Sequence, residues 1–211
     1  AVGTTAGFSL IDPVTGATQA AIPGLPLADM ALSPDGAQLA VASGEPELFV
    51  WDIATGVPVR QLSGHAGGVS SVAWGPSGRW LASGAQDAAM ILWDLGVGSD
   101  EAAAPETPIT PDNAAEVARW RELRGHLDAM RALSFSSDGR RLASASQDGR
   151  LMQWSVPGGY SFPPLAEYNR WVTAAAFHPG APLVASSGSD GTSAIVWDTT
   201  TGSGVTTLGG H

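Results

Sequence analysis

Apolar residues in this chain come in short runs, and turn residues separate them. Val69 to Trp74, Trp80 to Ser83 and Met90 to Trp93 form one set, divided by Gly75-Pro76-Ser77-Gly78 and Gln86-Asp87. Met130 to Phe135, Leu142 to Ser144 and Leu151 to Trp154 form a second, divided by Ser137-Asp138-Gly139 and Gln147-Asp148-Gly149. Short apolar runs bounded by Asp-Gly or Ser-Gly predict antiparallel strands joined by hairpin turns.

The sets recur. Each closes on a tryptophan: Val50-Trp51-Asp52, Leu92-Trp93-Asp94, Gln153-Trp154-Ser155 and Val196-Trp197-Asp198. The tryptophans are 42, 61 and 43 residues apart. A period near forty residues marks a repeat architecture, in which each repeat is one supersecondary unit. The long interval is one period plus 19 residues that fall between Trp93 and Gly125. That stretch, 96–118, carries Asp100, Glu101, Glu106, Asp112 and Glu116 with Pro105, Pro108 and Pro111, a composition that predicts a loop. Asp112 or Asn113 could cap one helical turn over 114–118.

These residues resemble the WD-repeat β-propeller family. The Gly-His openings at Gly64-His65 and Gly125-His126, the Ser33-Pro34-Asp35-Gly36 turn, the Leu-Ala-Ser runs and the Trp-Asp closes carry the resemblance over nearly the whole chain. It implies an all-β fold: a β-propeller of four-stranded antiparallel blades, with strands a to d running outward from a central channel. Ile11-Asp12-Pro13-Val14-Thr15-Gly16 aligns with Trp51-Asp52-Ile53-Ala54-Thr55-Gly56, so residues 1–25 read as the c and d strands of half a blade. Four full blades follow at 26–65, 66–126 (with the inserted loop), 127–168 and 169–211. Seven blades would need about 294 residues, so the chain reads as an incomplete ring and a segment of a larger propeller. Open ends predict self-association, because a terminal blade leaves one apolar face uncovered. Together with the absence of lysine, the resemblance points to a bacterial source.

Composition narrows the function. The net charge is −10, and all ten basic residues are arginine. Nucleic-acid binders show a basic stripe. Here the basic clusters are Arg119, Arg121 and Arg124, and the pair Arg140-Arg141. Arg119 and Arg121 share a strand face and read as guards against edge pairing. No nucleic-acid partner is expected. No apolar run reaches 18 residues, so no membrane span is expected either. There is no cysteine, hence no disulfide and no thiolate metal site. A cytoplasmic location is favoured.

His65, Ser83, Asp87 and Trp93 recur at the same offsets as His126, Ser144, Asp148 and Trp154. A Ser-His-Asp set suggests a hydrolase, but a catalytic site need occur only once. The family resemblance implies instead a structural tetrad, hydrogen-bonded from the b–c turn aspartate through histidine and serine to tryptophan. In the fourth unit Tyr168 replaces the histidine, Ser186 and Asp190 remain, and Trp197 comes one residue late, which predicts a bulge in strand c. In the first unit Leu25, Val41 and Glu45 replace all but Trp51. The histidines His65, His126 and His211 sit at equivalent repeat positions, apart from His178, and the repeat spreads them around a ring, so no metal site is expected. The glycines punctuate turns, and no cofactor is implied.

The resemblance directs attention to the face formed by the d–a and b–c loops. Its candidate protein-binding residues are Gln86, Gln147 and Ser189, each before a turn aspartate, and Asp128, Arg170 and Trp171, after the Gly-His position. Tryptophan and arginine dominate interface energies. The expected function is a non-enzymatic scaffold for a protein or peptide. The alternative is a regulatory or sensing propeller segment of a larger enzyme, such as a protein kinase or signalling ATPase.

Overall fold

The computed structural model describes residues 2–4, 7–11, 15–16, 18–23, 27–96, 119–189, 191 and 193–209. Among them are four antiparallel sheets of four strands. The first holds β4 (Asp29–Leu32), β5 (Gln38–Ala42), β6 (Leu48–Asp52) and β7 (Val57–Leu62). The second holds β8 (Val69–Trp74), β9 (Trp80–Ala85), β10 (Ala89–Asp94) and β11 (Arg119–Arg124). The third holds β12 (Met130–Phe135), β13 (Arg141–Ser146), β14 (Arg150–Ser155) and β15 (Ala166–Glu167). The fourth holds β16 (Val172–Phe177), β17 (Leu183–Gly188), β18 (Ser193–Asp198) and β19 (Gly204–Gly209). In each sheet the strands pair in chain order, as hairpin turns dictate.

Successive residues of a strand face opposite sides, so each blade feeds two cores. Strand β10 shows this plainly. Ile91 and Trp93 pack with Leu48, Val50 and Leu62 of the blade before. Met90 and Leu92 pack with Met130, Leu142 and Trp154 of the blade after. The third and fourth blades share a core of Ala143, Leu151, Leu165 and Val184, with Phe177 and Trp197 against it. In the second, third and fourth blades the closing tryptophan thus faces the preceding blade.

Polar bonds fix the blades to one another. Trp74 Nε1 donates to the Ala31 carbonyl at 2.9 Å, and the Val72 amide donates to Asp29 at 2.9 Å. Further out, one arginine after another donates to a carbonyl of the next blade's c–d turn: Arg60 to Leu95 at 3.1 Å, Arg121 to Gly158 at 2.6 Å and Arg141 to Thr199 at 2.8 Å. Arg121 is therefore a cross-blade clamp, which corrects its reading as a guard against edge pairing.

On the fourth blade, Ala185 and Ser187 are only half-buried, whereas Ala82, Gly84, Ala143 and Ala145 at the same positions are fully buried. Strand β19 is exposed along its length. Among the described residues no sheet covers this face, and the sheets form an open arc.

Two other expectations need correction. The N-terminal unit has three strands, β1 (Val2–Thr4), β2 (Gly7–Ile11) and β3 (Thr18–Pro23), where the alignment counted two. The bulge in strand c of the fourth blade lies between Val196 and Trp197 in its pairing with strand d, as in the first and second blades, and is absent from its pairing with strand b. That pairing runs unbroken from Leu183↔Asp198 to Ser187↔Ala194. The extra residue lies instead in the turn between Gly188 and Ser193. A turn absorbs a residue without flipping every side chain after it, while a strand cannot. Asp12, Leu25, the stretch 97–118 with its candidate helical turn, Asp190 and His211 lie outside the described residues.

Candidate functional site

Each tetrad is built from two loops and two strands. The histidine sits in the loop before strand a, the serine on strand b, the aspartate in the b–c turn and the tryptophan on strand c. In the second blade His65 Nε2 lies 2.8 Å from Ser83 Oγ, Trp93 Nε1 donates to the same Oγ at 2.9 Å, and His65 Nδ1 lies 3.2 Å from Asp87. In the third, the matching distances for His126, Ser144, Trp154 and Asp148 are 2.7, 2.7 and 2.8 Å. Ser83 and Ser144 are wholly buried. The turn aspartates also accept backbone amides: Asp87 those of Ala66 and Ala89, Asp148 those of Leu127 and Arg150. Each serine hydroxyl is enclosed between an indole and an imidazole. It has no open side from which to attack a substrate, so the geometry is that of a brace.

The fourth blade keeps the brace with other chemistry. The Tyr168 hydroxyl lies 2.7 Å from Ser186 Oγ, and Trp197 Nε1 donates to that Oγ at 2.8 Å.

The tetrads also determine what projects from the loop face. Tyr168 and Val172 are anchored on either side of Asn169, Arg170 and Trp171, so those three side chains point outward. His126 and Met130 do the same for Leu127, Asp128 and Ala129. The second blade offers only Ala66-Gly67-Gly68. There a Cβ on Gly68 would collide with the Gly44 carbonyl, so close packing against the first blade excludes side chains. The face is therefore populated asymmetrically, at the third and fourth blades.

The six candidate binding residues fall into two adjoining clefts. Gln147, Ser189, Arg170 and Trp171 line one of about 600 Å³, with Asn169 and Tyr168. Gln86 and Asp128 line a second of about 290 Å³, with Arg131 and again Gln147. Gln147 forms the wall between them. Arg131 bridges them too: its guanidinium lies over the Trp171 ring at 5.3 Å from the centroid, and with the Gln147 amide turned so that its oxygen faces the guanidinium, that oxygen accepts the Arg131 Nε at 2.8 Å. Trp171 remains 47% exposed.

The sequence profile of the family described as "WD domain, G-beta repeat" matches residues 56–94, 119–155 and 163–198, more than half of the chain. The chain belongs to the WD40 repeat family. Each matched WD40 stretch ends within a residue of the closing tryptophan described above. Among curated relatives, the nuclear distribution protein PAC1 of Arthroderma benhamiae is 30% identical over 177 residues, covering 80% of this chain and 37% of the relative. A component of chromatin assembly factor 1 from Gallus gallus is 29% identical over 154 residues, covering 67% and 27%. The protein HIR1 of Chaetomium globosum is 30% identical over 174 residues, covering 75% and 16%. The chain thus spans little more than a third of its relatives' length at most. These relatives are fungal and avian, and they lend no support to a bacterial source.

In this WD40 chain, burial and hydrogen bonds set the protonation of the third-blade pair. Burial pushes the His126 imidazole below its ordinary value, although Asp148 pulls it up. Burial also pushes the Asp148 carboxyl up, but the Leu127 and Arg150 amides and His126 together hold it below the ordinary range. At neutral pH the pair is therefore a neutral imidazole donating Nδ1–H to a carboxylate. Its Nε2 then accepts the serine proton, and the serine oxygen accepts the indole N–H. Every side-chain donor within this tetrad thus has an acceptor.

Sequence reasoning missed Arg131. It is the second residue of strand a, where the neighbouring blades carry Ser70 and Thr173. Lining up that one column of the repeat would have exposed it as the odd member. No cluster of His, Cys, Asp or Glu among the described residues could hold a metal ion, and no described helix is long and apolar enough to cross a membrane.

Proposed function

We propose that this WD40 segment binds a protein or peptide, without chemistry of its own, through the loop face where the third and fourth blades meet. The observation that carries this reading is Trp171, half-exposed, held under Arg131 and set beside Arg170 in a cleft large enough for several side chains. Large aromatic and arginine side chains are the types that anchor interfaces, above all where a neighbour fixes their conformation. The tetrads beneath supply rigidity, so little ordering is needed on binding. The net charge of −10 favours a protein partner over nucleic acid. A relative named for chromatin assembly is consistent with a role in assembly.

Selection of a random peptide display library on the whole chain tests this, run in parallel on an Arg170→Ala/Trp171→Ala variant. Peptides enriched on the wild type and lost on the variant are expected. Equal enrichment on both would move the binding surface elsewhere.

A further inference from the structure

The outermost strand of a blade leaves one row of backbone N–H and C=O groups with no strand beside it. Proteins blunt such edges with proline, with charge or by keeping the strand short. The first three of the four-stranded sheets do so. Strand β7 opens with Val57-Pro58, β11 carries Arg119, Glu122 and Arg124, and β15 is two residues long. Strand β19 does none of these. It is six residues, Gly-Val-Thr-Thr-Leu-Gly, with neither charge nor proline, and it is exposed along its whole length. It ends its sheet: β18 pairs along one side, and among the described residues no strand pairs along the other.

The residues around it favour a second copy as the occupant. Val205, Thr206 and Thr207 are β-branched, the type that suits an extended strand. Residues 199–209 carry no charge, in a chain whose net charge is −10. Two copies of so acidic a chain repel across most of their surfaces and least along this edge. The edge is also separate from the uncovered face of the fourth sheet. A blade packed on that face would cover side chains and leave the flank of the strand open.

We propose that β19 pairs antiparallel with β19 of a second copy of this chain, joining the two fourth sheets into one continuous sheet. A two-fold relation requires opposed residues to share a face, so its axis passes through a residue, and Thr206 places the side chains best. Val205 then lies opposite Thr207, Thr206 opposite Thr206, and Leu208 opposite Gly204. Branched pairs and threonine pairs stabilise such a ladder, and no like charges meet in it. The pairing closes on itself as a dimer. Because β19 runs toward the loop face, the antiparallel copy is inverted, and the loop faces of the two copies open on opposite sides. The pairing stands apart from the peptide-binding reading and does not depend on it.

Amide hydrogen exchange on the whole chain, followed residue by residue at low and high protein concentration, tests the claim. The β19 amides turned away from β18, every second one along the strand, are expected to slow about tenfold at high concentration. The amides of β7 and β11 should not change. A cross-link gives a second reading, because the chain has no cysteine. Opposed Cα atoms of an antiparallel pair lie about 4.5–5.5 Å apart, within reach of a disulfide. Thr206→Cys should therefore oxidise to a covalent dimer, whereas Gln61→Cys, exposed on β7, should stay monomeric. Equal exchange of the outward β19 amides at both concentrations would overturn the proposal, even if the chain associates, since the contact would then lie on the uncovered face. Equal dimer yields from the two cysteine variants would overturn it as well.

Discussion

The Tyr168 hydroxyl meets Ser186 Oγ at 2.7 Å, the same distance at which His126 Nε2 meets Ser144 Oγ one blade earlier. A phenol and an imidazole thus perform the same first step. They part at the second, because the imidazole goes on through Nδ1 to Asp148 while the phenol has no second polar atom. The two sites should differ in cost. Tyr168→Phe removes one hydrogen bond and is expected to destabilise by about 1 kcal/mol. Asp148→Ala strands the imidazole N–H and two backbone amides, and about 3 kcal/mol is expected. Urea unfolding of both variants checks the order; equal costs would mean that the aspartate adds nothing.

Acid should weaken the protein in two stages. His126 has its folded pKa below its unfolded value, so between the two the unfolded state binds more protons. Its contribution is complete above about pH 6.5 and is lost as pH falls through the folded value. Asp148 and Asp87 are also depressed, and theirs is complete above about pH 3.9 and lost below it. Replacing His126 by tyrosine, as the fourth blade does naturally, should flatten the upper stage and leave the lower one. An unchanged upper stage in that variant would assign it to another group.

Ala88 holds a left-handed backbone, φ 61°, in the b–c turn of the second blade. The third blade places Gly149 at this position, with φ 82°. Ala88→Gly should therefore stabilise by about 1 kcal/mol, the cost of a side chain in that region. The reverse change, Gly149→Ala, should destabilise by more, since its Cβ would collide with the Tyr168 carbonyl. Thermal unfolding of the two variants checks both signs.

The uncovered face of the fourth blade should make the isolated chain associate. Val205 and Leu208 of strand β19 are 56% and 53% exposed, and Leu208 lies in register, through Ala194, with the half-buried Ser187. Mass by light scattering is expected to rise with concentration, and a Val205→Glu/Leu208→Glu variant should suppress the rise. A constant monomer mass for the wild type would contradict this.

Much of this architecture is legible in the sequence, because repetition averages out local ambiguity. One Trp-Asp close is weak evidence; several in phase place the strands and the turns between them. The tetrads are legible for the same reason, as His65, Ser83, Asp87 and Trp93 return intact one unit later. Departures from the repeat are harder to place. The delayed Trp197 shows that a residue was added, but spacing alone does not say whether strand or turn absorbed it. The strand Val2–Thr4 has too few residues to show a pattern. The binding cleft is legible only in part. Gln147, Ser189, Arg170 and Trp171 can be picked out by column, yet their meeting with Arg131 depends on how two blades pack, which no single repeat encodes.

The most direct test of the central claim follows the eight indole N–H resonances of the labelled chain while a display-selected peptide is added. Peptide binding at the cleft between the third and fourth blades predicts that the Trp171 resonance shifts. Trp93 and Trp154, bonded to their serines and 2% exposed, should stay in place. A peptide that binds while Trp171 stays still would contradict the account.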